Sequence, residues 1–253
     1  MSRGFAVVDV ETTGFAASRE RIVEIAVVVV EEDGTESEAF CTLLDPGRDP
    51  GPTHVHGITA AMVEGAPPFG DIHGYLTSLL SGRVLVGHNV AGFDLGFLRA
   101  ECLRCGADDV TPDELVLIDT LRVARDLLGL YGRASLADCC ARFGLSWEDH
   151  HSALGDARIT AALFAAMRAE LGDESLGVAE SLARAGSTRW PASGAGAVAG
   201  GAIGDTLTSA LVGIGRPDVR VRPGATPRRL ELGTVVEVPL PLVLPEPVAP
   251  PVG

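Results

Sequence analysis

The ten residues from Arg21 to Val30, "RIVEIAVVVV", constrain this chain more than any other stretch. The run is nearly all apolar and rich in β-branched residues, which predicts a central strand of a sheet and not a half-solvated one. Its neighbours fit that reading. "GFAVVDV" at residues 4–10 predicts a strand before it, and Thr35 to Leu44 a strand after it, joined through the turn "EEDG". The chain is therefore expected to open as an antiparallel meander.

Farther along, the pattern changes to alternation. "DIHGYLTSLLSG" predicts a helix, "RVLVGH" a strand, "AGFDLGFLRAECLRCG" a helix and "ELVLIDT" a strand. Helices follow near Leu121 to Leu128, Ser135 to Phe143 and Ala153 to Leu171. Strands that alternate with helices are added in parallel, so the expectation is an α/β fold: a mixed sheet with helices on its faces. After Gly172 the character shifts again. "PASGAGAVAGGAIG" is small-residue sequence of low complexity, and "VPLPLVLPEPVAPPVG" is too rich in proline for a regular central strand. The expected division is a domain over residues 1–172 and a largely disordered or loosely docked tail over 173–253.

Charge narrows the function. The net charge is −14, with 26 acids against 13 arginines in residues 1–172 and 8 against 7 thereafter. Such a chain is ill-suited to broad electrostatic binding of nucleic acid, which relies on Lys and Arg to neutralise phosphate. If it acts on phosphates, cations must help. There is no Lys and no Gln, and Asn89 is the only Asn. The five cysteines are odd in number and unevenly placed, which does not suggest a disulfide framework. Cys102 and Cys105 form one CxxC without a partner motif, and read as ordinary buried thiols. No N-terminal stretch resembles a signal peptide, and apolar runs such as Ile25 to Val30 are far short of the ~20 residues of a membrane span. A soluble cytoplasmic protein with no membrane partner is expected.

Four carboxylates stand out. "VVDVETTG" places Asp9 and Glu11 two apart at a strand end, on one face, with hydroxyls and a tight turn immediately after them. A solvated strand end is the plain reading, but two acids on one face of an apolar strand are costly to bury without a compensating cation or donor. "LVGHNVAGFDLGFL" runs from strand through loop to helix, with Asp94 at the helix start. Asp94 is either an acid favoured by the helix dipole or a third carboxylate at the carboxyl edge of the sheet, where sites of open α/β sheets lie. "HHSALGDA" supplies the fourth, Asp156, with Ser152 as N-cap and both histidines in the preceding loop. Four carboxylates together make an oxygen-rich site suited to hard divalent cations, Mg²⁺ or Mn²⁺, and lack the sulfur and nitrogen donors zinc prefers.

"DVETTG", "GHNVAGFD" and "HHSALGDA", in that order, resemble the three motifs of the DnaQ-like DEDDh exonuclease superfamily, which includes the epsilon-subunit exonuclease domain of DNA polymerase III. "HGIT" at His56 to Thr59 and "IDT" at Ile118 to Thr120 also occur there, and the likeness covers about residues 3 to 171. Each motif alone is weak; three in order at suitable separations are specific. The resemblance implies a ribonuclease H-like fold, in agreement with the meander and alternating elements. It also implies that Asp9, Glu11, Asp94 and Asp156 hold two Mg²⁺ (or Mn²⁺) ions for cleavage at a free 3′ end, releasing nucleoside 5′-monophosphates.

Further roles follow from the resemblance. The general base stands five residues before the last aspartate, which selects His151; His150 is one step too early. Thr12 and Thr13 would lie against the terminal sugar, and Phe15 would stack on the terminal base, with core packing as its equally weighted alternative. His56 and Asn89 are candidates beside the nucleotide, bracing of their own loops being the alternative for both. His54 and His73 are expected at the surface. The implied function is a metal-dependent 3′ to 5′ exonuclease on single-stranded DNA, of proofreading or repair type, with a DNA polymerase or repair complex as the candidate partner. An exoribonuclease acting on RNA 3′ ends and a non-catalytic nucleic-acid or polymerase-associated interaction module are the alternatives.

Overall fold

The computed structural model describes residues 4–107, 115–132, 134–146 and 151–186. The chain opens with β1 (Phe5–Thr12), β2 (Ile22–Val30) and β3 (Glu36–Leu43), followed by the short helices α1 (Thr53–His56) and α2 (Ala60–Val63). α3 (Phe69–Leu80), β4 (Val84–Gly87), α4 (Asp94–Arg104) and β5 (Leu117–Asp119) come next. Helices α5 (Thr120–Asp126), α6 (Leu136–Arg142), α7 (Ala153–Ser175) and α8 (Val178–Ala185) complete the described elements.

The five strands form one sheet in the order β3-β2-β1-β4-β5. β1 pairs antiparallel with β2, and β2 with β3, while β4 joins β1 and β5 joins β4 in parallel. This is the expected mixed sheet. All nine residues of β2 are buried, as a central strand covered on both faces requires. Even-numbered β1 residues Ala6, Val8 and Val10 pack with Ile72, Leu76, Phe97 and Leu98 of α3 and α4. Odd-numbered Phe5 and Val7 face the opposite layer, where Ala153, Ala157 and Ala161 of α7 recur every four residues and let that helix lie close on the sheet. Phe164 continues this stripe, its ring edge-on to Phe5 at 5.0 Å between centroids. The outer side of α7 packs Ile159, Leu163 and Met167 against Cys139 and Cys140 of α6, so α7 is sandwiched between the sheet and a second helical layer.

Packing does not stop at residue 172. Gly172 sits at φ 78, ψ 151 and breaks α7, a backbone state that glycine adopts without strain. Beyond the break, α8 returns to bury Val178, Leu182 and Ala185 in the same core as Phe5 and Val84. Residues 173–186 are thus built into the domain, and the expectation of a tail starting at 173 is corrected for this segment. The remainder of the expected tail lies outside the described residues. α1 and α2 were not legible either: they fill the Pro/Gly-rich stretch after β3 and carry Ile58 and Val63 onto Val23 and Leu43. All cysteines are free; Cys102 is buried in the α3–α4 core as expected, while Cys105 packs against it only partly buried. Among the described residues, no helix is long and apolar enough to cross a membrane.

Candidate active site

Three chain segments meet at the carboxyl edge of the sheet. Side chains alternate along β1, so Asp9 and Glu11 project from the face that carries Phe5 and Val7, beneath α7. β4 accompanies β1 only as far as the Val7–Val86 pair, which leaves both acids beyond the last parallel pairing. The β4 chain can turn away so tightly because residue 87 is glycine: a Cβ there would lie 2.7 Å from the Cβ of Val90 and 3.0 Å from the carbonyl oxygen of Val8.

The loop that follows is held by Asp119, at the end of β5. Its buried carboxylate accepts from the backbone N–H groups of Asn89 (2.9 Å), Ala91 (3.0 Å) and Leu121 (3.0 Å), fixing the loop and capping α5 at once. Asn89 adopts φ 68 within this loop, a state Asn tolerates better than most residues. The loop delivers Asp94 to the start of α4, 4% exposed, where Oδ1 accepts from the Val10 N–H at 3.2 Å. That bond ties Asp94 to the β1 backbone between Asp9 and Glu11.

The third segment is the start of α7. Ser152 caps it as expected, its hydroxyl accepting from the Gly155 N–H at 3.0 Å, and Asp156 falls in the first turn. Asp9, Glu11 and Asp156 each offer a carboxylate oxygen, all within 4.8 Å of one another. Asp94 is not in that trio, but it is the strongest charged influence on Asp9. Burial first, then Asp94, Asp156, Glu11 and Glu24, hold the Asp9 carboxyl well above the usual carboxylate range. Burial likewise raises Asp94, against the opposing bonds from its own N–H and that of Val10. Like charges crowded at a half-buried edge favour a bound cation, and the donors are all hard oxygens.

His151 is exposed, at φ 62, immediately before the Ser152 cap. His150 lies outside the described residues. Phe15 is 89% exposed, which removes the core-packing alternative. The Thr12 hydroxyl donates to the Gly14 carbonyl at 2.7 Å, and that of Thr13 donates to Glu20 at 2.6 Å while accepting from the Arg21 N–H at 3.0 Å. Both threonines therefore shape the turn after β1. His56 is buried and braces its own loop, Nδ1 accepting from the Ile58 N–H at 3.0 Å. His54 is exposed as expected. His73 corrects the sequence reading: it is 1% exposed on α3, because its helix face turns onto the core beside Phe69.

Sequence reasoning missed three buried acids that hold this edge together. Besides Asp119, Glu24 on β2 lies opposite Glu11 and accepts from the Ala153 N–H at 3.0 Å. Glu101 on α4 takes a two-pronged bond from Arg21 at 2.7 and 2.9 Å, with Arg104 at 3.2 Å. Glu24 had a visible signal, as the one charge in an otherwise apolar strand. Glu101 had none beyond its three-residue spacing from Arg104.

Comparison with known proteins agrees with this geometry. The family model of the RNase T exonucleases matches residues 6–164. A DNA polymerase III subunit epsilon-like protein of Rhodobacter capsulatus is 40% identical over 167 residues, 63% of this chain and 23% of that protein. The PolC-type DNA polymerase III of Streptococcus mutans is 37% identical over 161 residues, 63% of this chain and 11% of the polymerase. The chain thus spans less than a quarter of the length of either relative. Among solved structures, an exonuclease I superposes with a TM-score of 0.59 at 19% identity, covering 67% of this chain and 42% of that one. A 3′-exonuclease that recognises a histone mRNA stem-loop superposes at 0.57 and 17% identity, covering 68% and 65%. Motifs, ribonuclease H-like sheet and family match converge: the chain belongs to the RNase T exonuclease family, within the DnaQ-like superfamily.

Proposed function

We propose that residues 4–186 form a divalent-cation-dependent 3′ to 5′ exonuclease domain that removes nucleoside 5′-monophosphates from single-stranded DNA. One observation carries the reading: the oxygens of Asp9, Glu11 and Asp156 lie within 4.8 Å of one another at the sheet edge, with Asp94 beside them. Asp9, Glu11, Asp94 and Asp156 would hold two Mg²⁺ or Mn²⁺ ions, which would offset the phosphate charge and ease deprotonation of a bound water.

The rest belongs to the chain's own residues. His151, exposed in the loop before α7, accepts the proton of the attacking water. Phe15, projecting from the turn after β1, stacks on the terminal base. Thr12 and Thr13 line the sugar side through a turn their hydroxyls keep rigid. Asn89 and His56 act indirectly, through the loops they brace. The acidic surface repels polyanions except where cations are held, which confines binding to this edge.

DNA is preferred as substrate because the curated relatives are named as DNA polymerase III proteins and one structural neighbour, E. coli exonuclease I, was solved with a dA16 oligonucleotide. The histone mRNA exonuclease supports RNA as the second reading. A polymerase assembly is the partner these relatives suggest. The deciding experiment supplies matched DNA and RNA oligonucleotides, with free and blocked 3′ ends, in Mg²⁺ and in EDTA. Stepwise shortening of free-ended DNA in Mg²⁺ alone is expected. Cleavage of blocked ends, or activity undiminished in EDTA, would overturn the proposal.

A further inference from the structure

Glu24 is an acid where the fold has no need of one. It is 2% exposed on β2, and the other eight residues of that strand are apolar. A carboxylate placed there loses its hydration, a cost that an apolar side chain of similar size would avoid. Its partners show what the acid does. In the β1–β2 register Glu24 stands directly opposite Glu11, and Oε2 accepts from the Ala153 N–H at 3.0 Å. Ala153 is the first residue of α7, so Glu24 takes one of the N–H groups that a helix start leaves without an intrahelical acceptor. Its charge also meets the positive end of α7. Oε1 faces the Cys41 thiol at 3.9 Å, and Glu24 is not part of the carboxylate trio.

Each end of this bond is one step from the candidate site. Glu24 flanks Glu11 across the strands; Ala153 lies two residues after His151 and three before Asp156. Ser152 fixes the turn internally, its hydroxyl accepting from the Gly155 N–H, whereas the Glu24 bond runs from helix to sheet. We propose that Glu24 is a positioning residue which locks the start of α7 onto β2 and so sets the separation between Asp156 and the β1 acids. The assignment rests on the exonuclease reading for its functional consequence, and on the Glu24–Ala153 bond for its structural one.

The test compares wild type, Glu24→Gln and Glu24→Leu in the full chain, with three readouts: amide hydrogen exchange at Ala153, calorimetric Mn²⁺ binding to the protein alone, and kcat and KM on a 3′-labelled oligonucleotide. Glu24→Leu keeps a cooperative melt, loses protection at Ala153, and weakens Mn²⁺ binding and kcat by about 10- to 100-fold while KM moves little. Glu24→Gln keeps an acceptor oxygen and restores protection and most of kcat. Wild-type behaviour of Glu24→Leu would overturn the proposal, as would a Glu24→Gln protein as impaired as the leucine variant. If Glu24→Leu fails to fold, Glu24→Ala takes its place and is held to the same outcomes. If the wild type degrades no oligonucleotide, the exonuclease reading fails alone, and exchange and Mn²⁺ binding still judge the role of Glu24.

Discussion

Asp9 shows at the scale of one residue how function opposes stability. Crowded by four other carboxylates at a half-buried edge, it is held well above its usual range, so its charged form is disfavoured in the cation-free protein. Asp9→Asn is expected to raise the melting temperature in EDTA and to abolish Mg²⁺-dependent degradation; a lowered melting temperature would contradict the crowding argument. The same crowding predicts that Mn²⁺ raises the melting temperature of the wild type, since a ligand of the folded state alone stabilises it. Asp9→Ala with Glu11→Ala should erase that increase, measured by calorimetry. For the histidines, His151→Ala is expected to cut kcat by about 10²- to 10⁴-fold, and His150→Ala to leave it near wild type. The reverse ranking would reassign the base. His73 carries a pH effect of its own. Burial lowers its pKa from 6.5, and neither ring nitrogen has a hydrogen-bond partner among the described residues. The unfolded chain then binds the proton more readily, so stability is full above pH ~6.5 and falls as pH drops below it. In His73→Phe the loss of melting temperature between pH 7.5 and 5.5 should shrink; an unchanged loss would assign it to other groups.

At the scale of elements, a charged network adds to the apolar packing that joins α4 to the meander. Glu101, 1% exposed, receives Arg21, Arg104 and the Ile22 N–H, while the two guanidinium side chains keep 27% and 29% of their surface in water. Arg104 also donates to the Ala17 carbonyl at 2.7 Å, so the network steadies the turn that bears Phe15. The burial is unequal, and so should be the cost of breaking the pair. Removing Arg21 leaves a buried carboxylate with only Arg104 and the Ile22 N–H, each at 3.2 Å, to offset its charge, whereas removing the charge of Glu101 leaves two arginines free to hydrate. Arg21→Met is therefore expected to destabilise by ~1 kcal/mol or more beyond Glu101→Gln in urea unfolding. The elements themselves were legible because periodicity reports which face is buried: the nearly all-apolar β2 and the alternating β1 were read to within two residues at either end. α1, α2 and α8 were not, since four- and eight-residue helices gain most of their stability from packing and little from local pattern.

For the molecule as a whole, α8 carries the packed domain past Gly172. Val178 and Leu182 bury their side chains against the sheet, each worth ~1.5–3 kcal/mol. A chain ending at Gly186 should melt cooperatively at nearly the full-length temperature, and one ending at Gly172 should lose ~3–6 kcal/mol. Equal stability of the two would return the boundary to 172. Sequence alone determined the mixed sheet and the family, and proposed Asp9, Glu11, Asp94 and Asp156 as the candidate site, because alternation, capping and motif spacing are local properties that a linear reading preserves. Tertiary structure decided which acids face one another and what holds them there. Glu24 lies 129 residues from Ala153, Asp94 lies 84 from Val10 and Glu101 lies 80 from Arg21. Bonds across such separations leave no periodic trace in the chain, because each depends on where the fold brings a backbone N–H or a guanidinium to a carboxylate that burial has stripped of water.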